Sequence, residues 1–305
     1  MNQKKADWML VLVTVLWGTS YLFMKTGLDD LGVFTFIALR FFIAFVIMAL
    51  FFHRALFHTD FRTLVYSLLQ SLMLLGVFAF LMFGMLTTSA SKAGFLNSLT
   101  VIFVPILHAL ITRHLPPRRV MTGAGVSLIG IFLLTGTSSL MLSSGDLFCI
   151  IGALFNAGYI ILAGHVGKQV PALAFSIWQM GFTGVLSLLL ALILEPFQLP
   201  ATLAAWTSVL GLAILCSAVG YLLQNIAQKF TSDLHAGLIF SLEPVFAALF
   251  AYLFVGERLS VQASIGAVLV LLSIVIMEIK IGNDRKMPRA WFAVSLFKKH
   301  SRPDK

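Results

Sequence analysis

Apolar residues run along this chain in stretches long enough to cross a bilayer, separated by short gaps that carry Gly, Pro or charge. A membrane helix needs roughly 20 mostly apolar residues. By that measure the pattern predicts ten runs, at approximately 8–27, 33–52, 64–86, 93–112, 119–137, 145–165, 172–194, 206–228, 234–254 and 260–280. A β-barrel would show segments of about ten residues with alternating polarity, and stretches such as Leu186 to Leu194 do not alternate. With no water in the hydrocarbon to satisfy the backbone, helices remain as the spanning element. The expectation is therefore an all-α integral membrane protein with ten transmembrane helices. Run one begins behind Lys4 and Lys5 as a signal peptide would, but it is too long and no small-residue cleavage site closes it, so it is expected to stay in the mature protein.

The charges set an orientation. With the N-terminus placed in the cytoplasm, nine Lys and Arg fall in cytoplasmic segments (Lys4, Lys5, Arg54, Arg62, Arg113, Arg118, Arg119, Lys168 and Lys229) and two, Lys92 and Arg258, in outer loops. That is a positive-inside bias. An even number of spans returns the C-terminus to the cytoplasm, in agreement with a basic tail from Lys280 onward. Within residues 281–305, Trp291, Phe292, Val294, Leu296 and Phe297 lie between basic ends. This composition reads either as a short interfacial helix on anionic membrane lipid or as a disordered tail.

A weak internal repeat runs through the spans. Ala6-Asp7, Trp17 and Phe36 to Phe41 align at an offset of 139 with Gly145-Asp146, Asn156 and Phe175 to Met180. Ala93-Gly94-Phe95-Leu96-Asn97-Ser98-Leu99 aligns at an offset of 143 with Ala236-Gly237-Leu238-Ile239-Phe240-Ser241-Leu242, as Gly123 does with Gly266. Ten apolar helices share some similarity by composition alone, but the matched positions here include Gly, Ser and Asp. Residues 1–140 and 141–280 then form two five-helix repeats. An odd number of crossings per half forces the copies into opposite orientations, an inverted repeat whose substrate site is expected near the midplane between the halves.

Composition narrows the function classes. The chain of 305 residues is 59% hydrophobic and 11% charged, where about 25% charged is ordinary for a globular protein. A net charge of +9 would suggest nucleic acid in a soluble protein; here it reports orientation, and no nucleic-acid partner is expected. Cys149 and Cys216 lie in apolar runs without CxxC spacing and read as packing residues rather than a disulfide or zinc site. No nucleotide-binding loop, HExxH, GxSxG or metal-spaced His/Cys cluster is present. No cofactor and no enzyme activity are expected, and transport would draw on a proton or ion gradient or on the substrate's own.

Ionisable groups inside spans are expensive and default to functional candidates. Glu243, near the middle of run nine, precedes Pro244, which removes a backbone donor. The carboxylate can exchange a proton, face an ammonium group of substrate, bond the backbone that Pro244 frees, or pair with Lys25 or Arg40. Those two cations, in runs one and two, can also snorkel to the interface. Trp17 and Tyr21 are four apart and share a helical face, as do Asn156 and Tyr159 three apart. With Asn97, and with Tyr221, Gln224 and Asn225 at helical spacing beside Gln228 in run eight, they are the expected substrate-binding set, each with interhelical bonding as its alternative role. His108 and Gln179 stand as lone polar groups. Gly123, Ser127 and Gly130 in run five and Ala263 and Ala267 in run ten permit close helix approach, within the chain or in a homodimer.

Asp7, Trp17-Gly18-Thr19-Ser20-Tyr21, Lys25, Arg40-Phe41, Ser241-Leu242-Glu243-Pro244-Val245-Phe246, Gly256-Glu257-Arg258-Leu259-Ser260 and Gly266-Ala267 together resemble the EamA family of the drug/metabolite transporter superfamily. The resemblance covers residues 6–280. It implies a ten-helix, inverted-repeat carrier in the bacterial cytoplasmic membrane, exporting amino acids, other small metabolites or amphipathic compounds by alternating access. It also implies a cavity between runs one, three, four, six, eight and nine. The first half departs from the family pattern: His114-Leu115-Pro116 stands in place of the GER-type turn, and Thr100-Val101 in place of Glu-Pro, with a proline at Pro105. A lipid or lipid-linked-precursor flippase and a non-transporting receptor or scaffold are the competing readings.

Overall fold

A computed structural model describes residues 1–57, 59–88, 90–135, 143–250, 252–253 and 260–278. The Gly256-Glu257-Arg258-Leu259 motif, His58 and the basic tail with its expected interfacial helix lie outside the described residues. The described chain is helical throughout, without a strand: α1 (Gln3–Gly18), α2 (Ser20–Leu28), α3 (Val33–Phe51), α4 (His53–Phe57), α5 (Phe61–Met85), α6 (Ala90–Asn97), α7 (Thr100–Thr112), α8 (Arg118–Thr135), α9 (Ser144–Val166), α10 (Ala172–Leu194), α11 (Leu203–Gly211), a π-helical stretch Leu212–Tyr221, α12 (Leu222–Ala227), α13 (Asp233–Phe240), α14 (Glu243–Phe250) and α15 (Val261–Glu278). Seven helical segments among the described residues are long and apolar enough to cross a membrane, and α15 is a shorter apolar helix. The molecule is a multi-pass membrane protein.

Three expected runs break into two α-helices each. Run one breaks at Thr19, run four at Ser98-Leu99 and run nine at Ser241-Leu242. The last two breaks fall at corresponding places: Ala90, Asn97 and Thr100 bound α6 and the start of α7, and Asp233, Phe240 and Glu243, each 143 residues on, bound α13 and the start of α14. Pro244 occupies the first turn of α14, where its missing N–H costs nothing. Run eight opens into a π-helix between α11 and α12, a departure that recurs at functional sites.

Polar side chains start several of the helices. Ser143 and Asp146 form a reciprocal capping box on α9, satisfying two backbone donors that a helix start leaves orphaned. For α3 the cap comes from a distant residue: the Glu195 carboxylate accepts from the backbone N–H of Phe34 and Thr35, both at 2.9 Å, and from Thr35 Oγ1 at 3.0 Å. Its N-cap position is Gly32, where an added Cβ would lie 2.3 Å from the Glu195 carboxylate. The imported carboxylate fills the space that a capping side chain would need.

The most extensive helix contacts join α8 to α15, α5 to α9 and α3 to α10. The α8–α15 crossing brings backbone against backbone. A Cβ on Gly266 would sit 2.4 Å from Leu134 N and 2.5 Å from Gly130 O, so the small residues expected to permit close approach serve packing within the chain.

Candidate functional site

The broken helices converge on one buried cavity. Trp17, Ser20, Tyr21 and Met24 enter it from α1 and α2, Arg40 from α3, and Val77, Phe78 and Leu81 from α5. Asn97 at the end of α6, Asn156 of α9, Tyr221 at the end of the π-helix and Glu243 at the start of α14 complete the lining. The cavity is narrow, leaving ≈ 30 Å³ for the centres of water-sized molecules, and one water needs roughly 10–15 Å³. In this conformation it has room for about two waters, so any larger ligand requires it to widen.

Aromatic rings form its wall. Trp17 packs on Tyr221 with centroids 5.0 Å apart and on Phe240 at 5.3 Å, and Phe41 packs on Phe78 at 5.3 Å. The Trp17 indole donates through Nε1 to Cys216 O at 3.0 Å, a carbonyl within the π-helix. A Cβ on Gly220 would stand 2.7 Å from that nitrogen, so glycine there leaves the indole its place.

The polar groups are unevenly satisfied. Asn97 Nδ2 donates to the Tyr21 hydroxyl at 3.1 Å, and Glu243 lines the same cavity. Glu243 lies at the first residue of α14, where the helix dipole favours negative charge. Arg40 is 2% exposed. Its Nε donates to Ser217 Oγ at 2.7 Å, and its guanidinium lies 4.3 Å from the Phe78 centroid and 5.1 Å from that of Phe41. Among the described residues no ion pair joins Arg40 to Glu243. Arg40 Nη1 and Asn97 Oδ1 are both buried without a hydrogen-bond partner.

Of the residues singled out from sequence, Trp17, Tyr21, Asn97, Asn156, Tyr221, Arg40 and Glu243 are brought together at this cavity. Tyr159, Gln224 and Asn225 are not among its lining residues. Gln179 Nε2 donates to the Tyr159 hydroxyl at 2.8 Å, while Asn225 Nδ2 donates to Gln179 Oε1 at 3.0 Å and to Ser176 Oγ at 2.9 Å. Gln224 Nε2 donates to Gln228 Oε1 at 3.0 Å, and Gln70 Nε2 to Tyr159 O at 3.0 Å. This second buried network ties α5, α9, α10 and α12 together. Lys25 is exposed at the end of α2, apart from both.

Two groups that looked solitary in sequence are not. Gln179 is the hub of the second network, and His108 Nδ1 lies 2.7 Å from Asp233 Oδ2. The sequence signals for the cavity also missed Ser20, Met24 and the α5 face of Val77, Phe78 and Leu81. Phe78 and Leu81 carry no polar atom, and only the i, i+3 spacing common to core helices marks them.

A family model described as the EamA-like transporter family matches this sequence twice, over residues 4–136 and 143–279. An uncharacterised transporter of Archaeoglobus fulgidus is 29% identical over 277 residues, covering 90% of this chain and 86% of that protein. The uncharacterised transporter YoaV of Bacillus subtilis is 24% identical over 274 residues, covering 86% of this chain and 92% of its own length. A solved crystal structure shares the fold with a TM-score of 0.74 at 19% identity, over 90% of this chain and 96% of that one.

Proposed function

The chain belongs to the EamA-like transporter family, matched over residues 4–136 and 143–279, and from that premise we propose that it carries a small metabolite through the cavity between Arg40 and Glu243 by alternating access. The observation that carries this reading is the cavity itself, buried, lined by aromatic rings and holding a guanidinium and a carboxyl group that make no direct ion pair among the described residues. Charges are costly at membrane depth and persist where they meet a substrate or coupling ion. The cell membrane is its proposed location and export its proposed direction, driven by a proton or ion gradient or by the substrate's own.

The proposed frame is ten spans in two inverted halves, residues 1–140 and 141–280, with both termini cytoplasmic. Three features support it. The family model matches twice at similar length. The breaks before Thr100 and Glu243 share one offset. The main helix pairs α8–α15 and α3–α10 join runs that the repeat makes equivalent, as contacts across a pseudo-two-fold axis would. The halves differ where the mechanism uses charge, since Glu243 corresponds to Thr100.

Counterflow in proteoliposomes tests the proposal, with a panel of amino acids, organic acids and amphipathic amines at two pH values. Wild type is expected to exchange a subset of the panel. Glu243→Gln is expected to lose or flatten the pH dependence if the carboxylate couples a proton, and to weaken cationic substrates if it meets an ammonium group. Folded wild type that exchanges no member would contradict the proposal.

A further inference from the structure

Arg40 presents a buried cation whose bonding is incomplete. A guanidinium offers five N–H donors in a fixed fork, and here Nε alone among its nitrogens makes a hydrogen bond among the described residues, to Ser217. Nη1 is buried with no partner, although the side chain lines the cavity. The rings of Phe41 and Phe78 lie against the guanidinium but accept no conventional hydrogen bond. Among the described residues, Glu243 is the one acid of the cavity lining, and it makes no direct ion pair with Arg40. An unpaired buried cation is among the most destabilising features a fold can carry, and an apolar side chain of the same length would fill the space at less cost.

From this geometry we infer that Arg40 is the anchor for a carboxylate on the transported ligand, the fork of Nη1 and Nη2 taking the two carboxylate oxygens. The inference rests on the transport reading above and names the chemical class that its cavity takes. A planar carboxylate matches the guanidinium fork two bonds at a time, and Ser217 fixes the fork's rotation through Nε. Asn97 Oδ1, the other unpartnered polar atom of the lining, is an acceptor and meets a donor elsewhere on the ligand, a hydroxyl or an ammonium. Tyr21, bound by Asn97 Nδ2, keeps that amide oriented with Oδ1 free. A purely structural Arg40 would be expected to have its nitrogens satisfied by the protein.

Thermal unfolding of the purified full chain in mild detergent distinguishes the roles, with sodium salts matched in ionic strength. The probes are acetate with acetamide, and leucine with leucinamide, isoamylamine and 4-methylpentanoate, four compounds on one skeleton. The carboxylate-bearing members are expected to raise the wild-type midpoint, and the amides and the amine are not. Arg40→Met is expected to be at least as stable as wild type without ligand and to lose the carboxylate response. Arg40→Lys keeps the charge without the fork and is expected to bind carboxylates roughly ten- to a hundredfold more weakly, as loss of a charge-assisted hydrogen bond implies. The inference is overturned if no carboxylate shifts wild type, if amides shift it as much as acids, or if Arg40→Met keeps the shift. An unliganded Arg40→Met that unfolds well below wild type assigns Arg40 a structural role and overturns it too. A carboxylate-selective shift without counterflow would leave the anchor standing and remove the transport reading; counterflow that ignores the carboxylate would do the reverse.

Discussion

One substitution made at two glycines should change stability in opposite directions. At Gly266, on α15, an alanine Cβ would meet Leu134 N at 2.4 Å and Gly130 O at 2.5 Å, where ordinary contact begins near 3.4 Å. Both obstacles are backbone atoms of α8, so no side chain can rotate away, and the two helices must part by about 1 Å. Overpacking of this kind costs about 1–3 kcal/mol, against about 1 kcal/mol that alanine gains over glycine in a helix interior. Since the clash is near the severe end, Gly266→Ala should lose about 1–2 kcal/mol net. At Gly125, on α8, a Cβ meets nothing within 4 Å. Gly125→Ala therefore keeps only the propensity term and should gain about 0.5–1 kcal/mol. Cys149 and Cys216 are free and buried, so a thiol-reactive fluorophore reports their exposure on heating without added labels. Midpoints at one scan rate should fall below wild type for Gly266→Ala and rise above it for Gly125→Ala. A Gly266→Ala midpoint equal to wild type, or shifts of the same sign at both sites, would refute the close α8–α15 crossing.

Other expectations follow from single contacts. Glu195→Ala should destabilise by about 1–2 kcal/mol, the cost of an uncapped helix start, with Glu195→Gln recovering part; an unchanged midpoint would contradict the imported cap on α3. Gln179→Leu strips partners from the Tyr159 hydroxyl and Asn225 Nδ2 and should cost about 1–3 kcal/mol while leaving substrate selectivity as it is; altered selectivity would place the second network in the substrate path. The Thr63 hydroxyl holds the Asp60 carboxyl below its usual range. A carboxyl so lowered contributes stability above its unfolded value, and the contribution is lost as pH falls through the folded value. The midpoint difference between wild type and Asp60→Ala should thus shrink on acidification, and a difference that grows would contradict the cap.

Much of the site was legible because charge and amide groups are rare in the apolar runs. Arg40, Asn97, Asn156 and Glu243 stand out by chemistry, Trp17 and Tyr21 are four apart, and Tyr221 sits at helical spacing with other polar residues of run eight. Tyr159, Gln224 and Asn225 satisfy the same criteria, yet Gln179, Ser176 and Gln228 draw them into a separate network, and no spacing rule foretells which acceptor a buried amide will find. The cavity face of Phe78 and Leu81 was invisible since apolar residues look alike whether they line a cavity or a core. The break beside Glu243 was foreshadowed by Pro244, whereas the corresponding break before Thr100 has Pro105 five residues downstream, inside α7. The π-helix Leu212–Tyr221 left no compositional trace. Within it the Cys216 carbonyl accepts from the Trp17 indole and Gly220 leaves that indole room, contacts that local sequence does not show.

The central claim is that one cavity opens in turn to each side of the membrane. Asn156→Cys places a thiol in that cavity, against the buried background of Cys149 and Cys216. Labelling with a membrane-impermeant methanethiosulfonate in right-side-out and in inside-out vesicles reads its access from each side. Alternating access predicts modification from both, each slowed by a ligand that the wild type exchanges. Modification from one side alone under every ligand and gradient condition would contradict it.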